Sequence, residues 1–339
     1  MKKINLLLLI GLALGLSSCE KAFFDEDLAS TNPYDNFDYL WDQCDKKYAY
    51  FDLKQVDWDA VKIDYRSKLF KGMTEDSLFN VLGGMLTELK DDHTNLISDF
   101  NVSSYGVRYD EQDNFDWRII VDNYITQDYY SSGPFSHNFL QGTNKEIAYV
   151  RLPAFTGTVS KKNLDFILER YQFTKGLILD LRENGGGAVS DVFKILSRFV
   201  ETETLTNYSR IKDGPGHNDF SDIEPVYVSP YNGIRYSKKV AVLVDRSSFS
   251  ATSFTALATK ALPNMILIGQ SATGGGLGLP NGGQLPNGWT YRFSVTQALT
   301  LDKKPDYENG VPVDVTAQFD WNDLTTDEII EAAVVEINK

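Results

Sequence analysis

Between residues 147 and 268, short and almost continuously apolar runs alternate with amphipathic stretches. No other feature constrains the fold as strongly. Residues 147–152, 176–182, 240–244 and 265–268 read as strands, and residues 162–172, 188–199 and 251–262 read as helices. A strand that is apolar on both faces must be covered on both. Strands of that kind alternating with helices define an α/β class with a largely parallel sheet.

The first third of the chain has a helical rhythm. Phe37, Leu40, Trp41, Cys44, Tyr48 and Phe51 fall near one face, and Val61, Tyr65 and Leu69 mark a second helix. Thr74-Glu-Asp-Ser77 opens a third, with Leu78, Val81, Leu82, Met85 and Leu89 as its apolar positions. Residues 36–98 are therefore expected to form a small helical unit, and residues 146–339 the main domain. Residues 99–145 connect them, with strand-like pieces expected at 106–109 and 117–121 and a polar, aromatic loop over 124–144. The segment 201–236 is rich in Gly, Pro, Asn and Asp and reads as an exposed loop.

Lys2 and Lys3 precede an apolar run over residues 4–16, and Leu16-Ser-Ser-Cys19 resembles the bacterial lipobox. The resemblance implies that residues 1–18 are a signal peptide and that a lipid on Cys19 anchors the protein to a membrane of the cell envelope, periplasmic or surface-exposed; residues 19–35, punctuated by Ser30-Thr-Asn-Pro33, read as a linker. The chain carries 47 acidic against 33 basic residues, a formal charge of −14. That balance argues against a nucleic-acid partner. Apart from Cys19, Cys44 is the only thiol, so no internal disulfide or cysteine zinc cluster is available. No His/Asp/Glu spacing suggests a metal, and no cofactor is expected. Histidine chemistry must draw on His93, His137 or His217.

Two stretches suggest chemistry. Asp180-Leu-Arg-Glu-Asn-Gly-Gly-Gly187 runs from a buried strand through three glycines into a helix. Such a turn exposes backbone N–H groups that can hold an oxyanion. It lacks the spacing of dinucleotide and P-loop motifs. Val242-Leu-Val-Asp-Arg-Ser-Ser-Phe-Ser-Ala251 places Ser247, Ser248 and Ser250 where a strand meets a helix, with Ser253 close behind. Some of these serines, Ser247 and Ser248 first, suit helix capping. Each stretch alone is ambiguous.

Together, about sixty residues apart, they resemble the C-terminal-processing, or tail-specific, serine protease family. The resemblance implies a crotonase-like core of parallel strands and helices, with Ser250 as nucleophile. Where the family carries a glutamate after the nucleophile, this chain has Ser253. The Ser-Lys branch has its lysine in a Thr-Phe-Gly-Lys-Gly stretch, and the corresponding position here is Gly275. Leu86-Thr-Glu-Leu-Lys-Asp-Asp-His93 and Tyr307-Glu-Asn-Gly-Val-Pro-Val-Asp314 instead look like the tricorn-like branch, which uses Ser-His chemistry. That similarity implies His93 as general base, with Glu308 and Asp92 as orienting groups. The implied oxyanion donors are the N–H groups near Gly186 and Gly187 and that of Ala251. Asp180 and Arg182 are expected to pair structurally, and His137 and His217 to lie at the surface.

The implied function is a lipid-anchored serine peptidase acting on peptides or proteins through an acyl-enzyme. A competing reading is a catalytically silent relative that binds peptides or another ligand in the same cleft. Many bacterial members carry a PDZ domain before the core; residues 99–145 are too few for a standard one.

Overall fold

A computed structural model describes residues 29–339. The expected signal peptide, residues 1–18, and Cys19 lie outside the described residues. No helix among the described residues is long and apolar enough to cross a membrane.

Helix α1 (Pro33–Lys47) starts at Asn32, whose side chain accepts the N–H of Tyr34, and has proline in its first turn. A short α2 (Phe51–Lys54) follows. Helices α3 (Trp58–Arg66) and α4 (Glu75–Thr87) are capped by Asp57 and Thr74. These helices bury Phe37, Leu40, Trp58, Leu82 and Met85 in one core, shared with Tyr291 and Phe293 from the far end of the sequence.

The connecting segment departs from expectation. Strand β1 (Asn95–Ile97) is followed by a 3-10 turn at Val107–Asp110, not a strand. Residues 117–121 are helical too: α5 (Trp117–Ile119) runs into a π-helical turn, Ile120–Ile125. Asp116 caps that start by accepting the N–H of Arg118, and Ile119, Ile120 and Ile125 pack into the core. The expected loop contains a hairpin, β2 (Tyr130–Ser132) and β3 (Phe135–Phe139). On it His137 is buried, with Nε2 2.8 Å from the Ser132 hydroxyl and Nδ1 2.8 Å from that of Tyr171. Burial pushes its pKa down to about 4, so the surface assignment of His137 is corrected. His217 is half-buried, stacked on Phe51 and bonded to Asp45.

The main sheet begins with β4 (Ile147–Arg151), and α6 (Lys161–Arg170) leads to β5 (Gly176–Asp180). Helix α7 (Val189–Leu196) precedes β6 (Thr204–Ile211) and β7 (Glu224–Val228). These two strands occupy the segment read as an exposed loop. Then come β8 (Lys239–Val244), α8 (Ala251–Thr259) and β9 (Met265–Gly269). Strands β10 (Pro280–Gln284), β11 (Thr290–Ser294), β12 (Thr296–Leu299) and β13 (Val315–Thr316) precede a final helix, α9 (Glu328–Asn338).

Seven strands form the central sheet in the order β13-β9-β8-β5-β4-β3-β2. The pairs from β13 to β4 are parallel, and the β2–β3 hairpin adds an antiparallel edge. Two three-stranded antiparallel sheets, β1-β11-β10 and β12-β6-β7, flank it. Strand residues alternate between two cores, as the period of a strand requires. Leu177, Leu179, Val240 and Val242 face α6, α7 and α8, while Ile178, Ala241 and Leu243 face the π-helical turn and α9. The mixed α/β class with a mostly parallel sheet and an N-terminal helical region is thus the observed architecture.

Arg182 fastens the last helix to this sheet. It donates to Asp180 at 2.6 Å and to Asp327 at 2.9 Å, all three side chains fully buried, while Asp327 caps α9. The expected pairing of Asp180 with Arg182 is present.

Candidate active site

The turn from β8 into α8 is built by hydroxyls with separate tasks. Ser248 Oγ donates to the Leu181 carbonyl, and its N–H to Asp245. Ser253 Oγ reaches Thr273, and Thr252 Oγ donates to the Asn184 carbonyl. Ser248 therefore braces the turn and does not cap the helix. The capping position belongs to Ser250, whose side chain makes no capping bond. Its backbone sits at φ 56°, ψ −117°, a sparsely populated conformation that costs about 1–3 kcal/mol in a non-glycine residue. The conformation frees Oγ, which lies 2.9 Å from Nε2 of His93.

His93 arrives from the segment between α4 and β1. Its N–H donates to Asp91 Oδ1, and Asp91 Oδ2 accepts from Ser294. The ring packs edge-on against Phe249 and is buried. Burial pushes the His93 pKa down; the charge of Asp91 opposes that shift without cancelling it. A neutral imidazole with its proton on Nδ1 can accept the hydroxyl proton of Ser250 at Nε2. Nδ1 lies towards the Gly278 carbonyl but outside full hydrogen-bond geometry.

Asp92 does not orient this ring, contrary to the sequence reading. Its two oxygens accept the N–H groups of Gly106 and Val107, at 2.5 and 2.8 Å, and so anchor the loop beside the site. Glu308 reaches the site through backbone. Its Oε2 accepts from Leu277 at 2.7 Å and Gly278 at 3.0 Å. Burial, then the nearby Asp91, pushes its pKa up to about 8, against the pull of Lys54 and the backbone donors. The buried hydroxyls of Tyr48 and Tyr50 face Asp91 and Glu308 without full hydrogen-bond geometry; burial and the two carboxylates push both far up.

The glycine turn closes the other side. Asn184 accepts the Gly186 N–H at 2.9 Å and donates to the Leu152 carbonyl. Gly186 is therefore not a free oxyanion donor here, a correction to that assignment. It is required for another reason: at φ +96° a Cβ would stand 2.6 Å from the Phe249 carbonyl oxygen and 2.7 Å from Ser250 Cβ. The N–H groups of Gly187 and Ala251 donate to no acceptor among the described residues.

Asp91, Tyr48 and Tyr50 were not singled out from the sequence. Asp91 had one signal, the doubled aspartate before His93; the tyrosines had none, because folding alone brings them to Glu308. A polar cavity of about 310 Å³ adjoins these groups, lined by Lys54, Asp91, Arg246, Phe249, Gly276 and Glu308 among others. Among the described residues, no group of three or more His, Cys, Asp or Glu side chains could hold a metal ion.

A strained serine beside a buried histidine, with unpaired backbone N–H groups at Gly187 and Ala251 nearby in the chain, is the constellation of a serine hydrolase. Residues 146–317 match the profile of peptidase family S41, and residues 30–87 that of the tricorn protease C1 domain. The chain belongs to peptidase family S41. It is similar to a crystal structure of a candidate peptidase from Parabacteroides merdae, at 39% identity and a TM-score of 0.85, over 91% of this chain and 98% of that one. It is 25% identical to carboxy-terminal processing protease CtpA of Bacillus subtilis over 178 residues, 52% of this chain and 36% of that one. It is 30% identical to the tail-specific protease of Haemophilus influenzae over 144 residues, 41% of this chain and 19% of that one. The chain thus matches only a minor part of the length of these two relatives.

Proposed function

We propose that the protein is a serine peptidase that hydrolyses peptide or protein substrates through an acyl-enzyme on Ser250. The observation that carries this reading is the 2.9 Å approach of His93 Nε2 to Ser250 Oγ. Ser250 Oγ attacks the scissile carbonyl carbon while its proton passes to His93. The carbonyl oxygen, now negative, takes the N–H groups of Gly187 and Ala251. Collapse breaks the C–N bond, and His93 gives its proton to the leaving amine. Water then enters, loses a proton to His93, and attacks the ester; the released Ser250 recovers that proton and the acid product departs. Asp91 and Glu308 are positioning residues behind the histidine. A crotonase-like core over 146–339, a helical unit over 36–98, a connector over 99–145 without a standard PDZ domain, and envelope anchoring through a lipid on Cys19 complete the proposal.

A fluorescent fluorophosphonate tests the chemistry. The reading expects labelling of the wild type and its loss in both Ser250→Ala and His93→Ala. A folded wild type that stays unlabelled overturns the reading. Labelling retained in His93→Ala would overturn the assignment of the base alone. Mass spectrometry of the membrane-extracted protein tests the anchor: an unmodified Cys19 thiol would exclude it.

A further inference from the structure

One end of the helical unit carries large apolar side chains that nothing in the fold covers. Phe70, in the loop between α3 and α4, is 57% exposed. Phe100 and Val102, in the turn after β1, are 49% and 56% exposed. Phe100 is held in place, its ring 5.5 Å from that of Phe79 and 5.8 Å from that of Trp289. Several contacts gather these loops at one end. Tyr34, in the first turn of α1, donates its hydroxyl to the Leu69 carbonyl, next to Phe70. Phe79 lies in the second turn of α4, and Ile97 pairs with Thr290, beside Trp289.

The chain enters the fold at this same end. Ser30 donates its N–H to the Pro286 carbonyl at 2.9 Å. Asn36 ties Ser30 to Asn287: its amide donates to the Ser30 carbonyl and accepts the Asn287 N–H, each at 2.9 Å. Residues 20–29 separate Ser30 from Cys19, a span of at most about 40 Å even when fully extended. A lipid on Cys19 would thus attach the molecule by the end that displays Phe70 and Phe100. Charge does not favour headgroup binding there. Lys68 and Lys71 flank Phe70, but Asp35, Glu75, Asp76 and Asp99 occupy the same loops and helix starts, so apolar contact has to carry the interaction.

We infer that this end of the helical unit lies on the bilayer that holds the Cys19 lipid, with Phe70, Phe100 and Val102 in the lipid surface and the active site held above it. The inference rests on the proposed lipidation of Cys19 and not on the chemistry of Ser250. Apolar groups on such a surface sink about 5–10 Å into the boundary between headgroups and acyl chains. Helix α4 starts at this end and stops at Thr87, four residues before Asp91. Its 13 residues make it about 20 Å long, and that length sets the height of His93 over the membrane. The lipid supplies the attachment and the aromatic loops fix the orientation.

Single-cysteine labelling of the full-length, membrane-extracted protein tests the surface. A lipid occupies the Cys19 thiol and Cys44 is buried, so an introduced cysteine is the reactive one. Phe70→Cys, Phe100→Cys and, as a control in the main domain, Phe173→Cys, 89% exposed in the wild type, are each labelled with the fluorophore NBD. The variants are reconstituted into vesicles of phosphatidylethanolamine and phosphatidylglycerol, with and without doxyl-labelled lipid. Emission from positions 70 and 100 should shift to the blue and be lost to the doxyl lipid, and that from position 173 should do neither. The shift should persist in high salt, because it is apolar in origin; a shift abolished by salt overturns apolar contact. A blue shift without doxyl quenching means that a protein, such as a second copy of this chain, covers the patch, and overturns the lipid assignment. Lipidated protein that floats with the vesicles while both probes stay in water overturns the surface and leaves the anchor standing. An unmodified Cys19 overturns the anchor and the inference with it.

Discussion

Glu308 holds the N–H of Gly278 at 3.0 Å, and the Gly278 carbonyl lies on the Nδ1 side of His93. The carboxyl group therefore acts on the histidine through one residue's backbone. It does so in a buried space that also contains Asp91.

Glu308 gives the protein a pH-dependent stability. Its folded pKa, pushed up to about 8, exceeds the ordinary value of 4.5. The folded state thus holds a proton that the unfolded state releases between those values. The contribution is fully present below about pH 4.5 and is lost as pH rises through about 8. Glu308→Gln should flatten the fall in urea midpoint between pH 5 and pH 8, roughly the window between the two pKa values. An unchanged slope in the variant would assign the pH dependence to other groups.

His93 should set the acid limb of activity. Burial lowers its pKa below 6.5, so the base stays neutral into mildly acidic solution, and the rate of Ser250 labelling should fall only below that pH. Asp91→Asn removes the charge that props the value up. The limb should then move to lower pH, with little change in the plateau. A shift in the opposite direction would contradict the electrostatic role of Asp91.

Two neighbouring glycines should respond differently to alanine. Gly186→Ala places a Cβ against Phe249 and Ser250 at a positive φ. Labelling should fall by about 100-fold or more, as when an oxyanion donor is displaced, with stability lowered by about 1–3 kcal/mol. At Gly185 a Cβ meets nothing within 4 Å, so Gly185→Ala should keep labelling within about a few-fold of wild type and stability within about 0.5 kcal/mol. Equal effects at both positions would remove the steric explanation.

Asp327→Ala strips Arg182 of a fully buried partner and uncaps α9. A loss of about 3–5 kcal/mol is expected from urea unfolding. Folded molecules of the variant should retain Ser250 labelling, because neither Asp327 nor Arg182 contacts Ser250 or His93. A stability loss under about 1 kcal/mol would mean that water replaces the lost carboxylate.

The parallel strands were legible because each is a short run of consecutive apolar residues, a pattern that only a doubly covered strand explains. The segments that bring Ser250 and His93 to 2.9 Å could be singled out by the motifs around them. The hidden parts depend on partners distant in sequence. Strand β6 reads Thr-Leu-Thr-Asn-Tyr-Ser-Arg-Ile, too polar and punctuated to announce itself, and it forms by pairing Tyr208–Ile211 with Thr296–Leu299. The run Trp117-Arg-Ile-Ile-Val121 carries strand-type residues, yet it is helical; its apolar side chains pack with Ile329 and Ile330 of α9. Asp92 and Asp91 were indistinguishable as neighbours in a string. The tight turn at Asp91–Thr94 separates them, sending one carboxylate to the histidine backbone and the other to the Gly106 loop.

The parts of the site are dispersed along the polypeptide: the base near the front, the nucleophile well past the middle, and the carboxyl that fixes Gly278 near the end, followed by the helix that Arg182 fastens to the sheet. A nascent chain that has reached Ser250 already holds both members of the dyad but lacks the segments that hold them in register. Under the proposed function, hydrolysis would have to wait for Glu308 and the final helix, which follow the serine in the sequence.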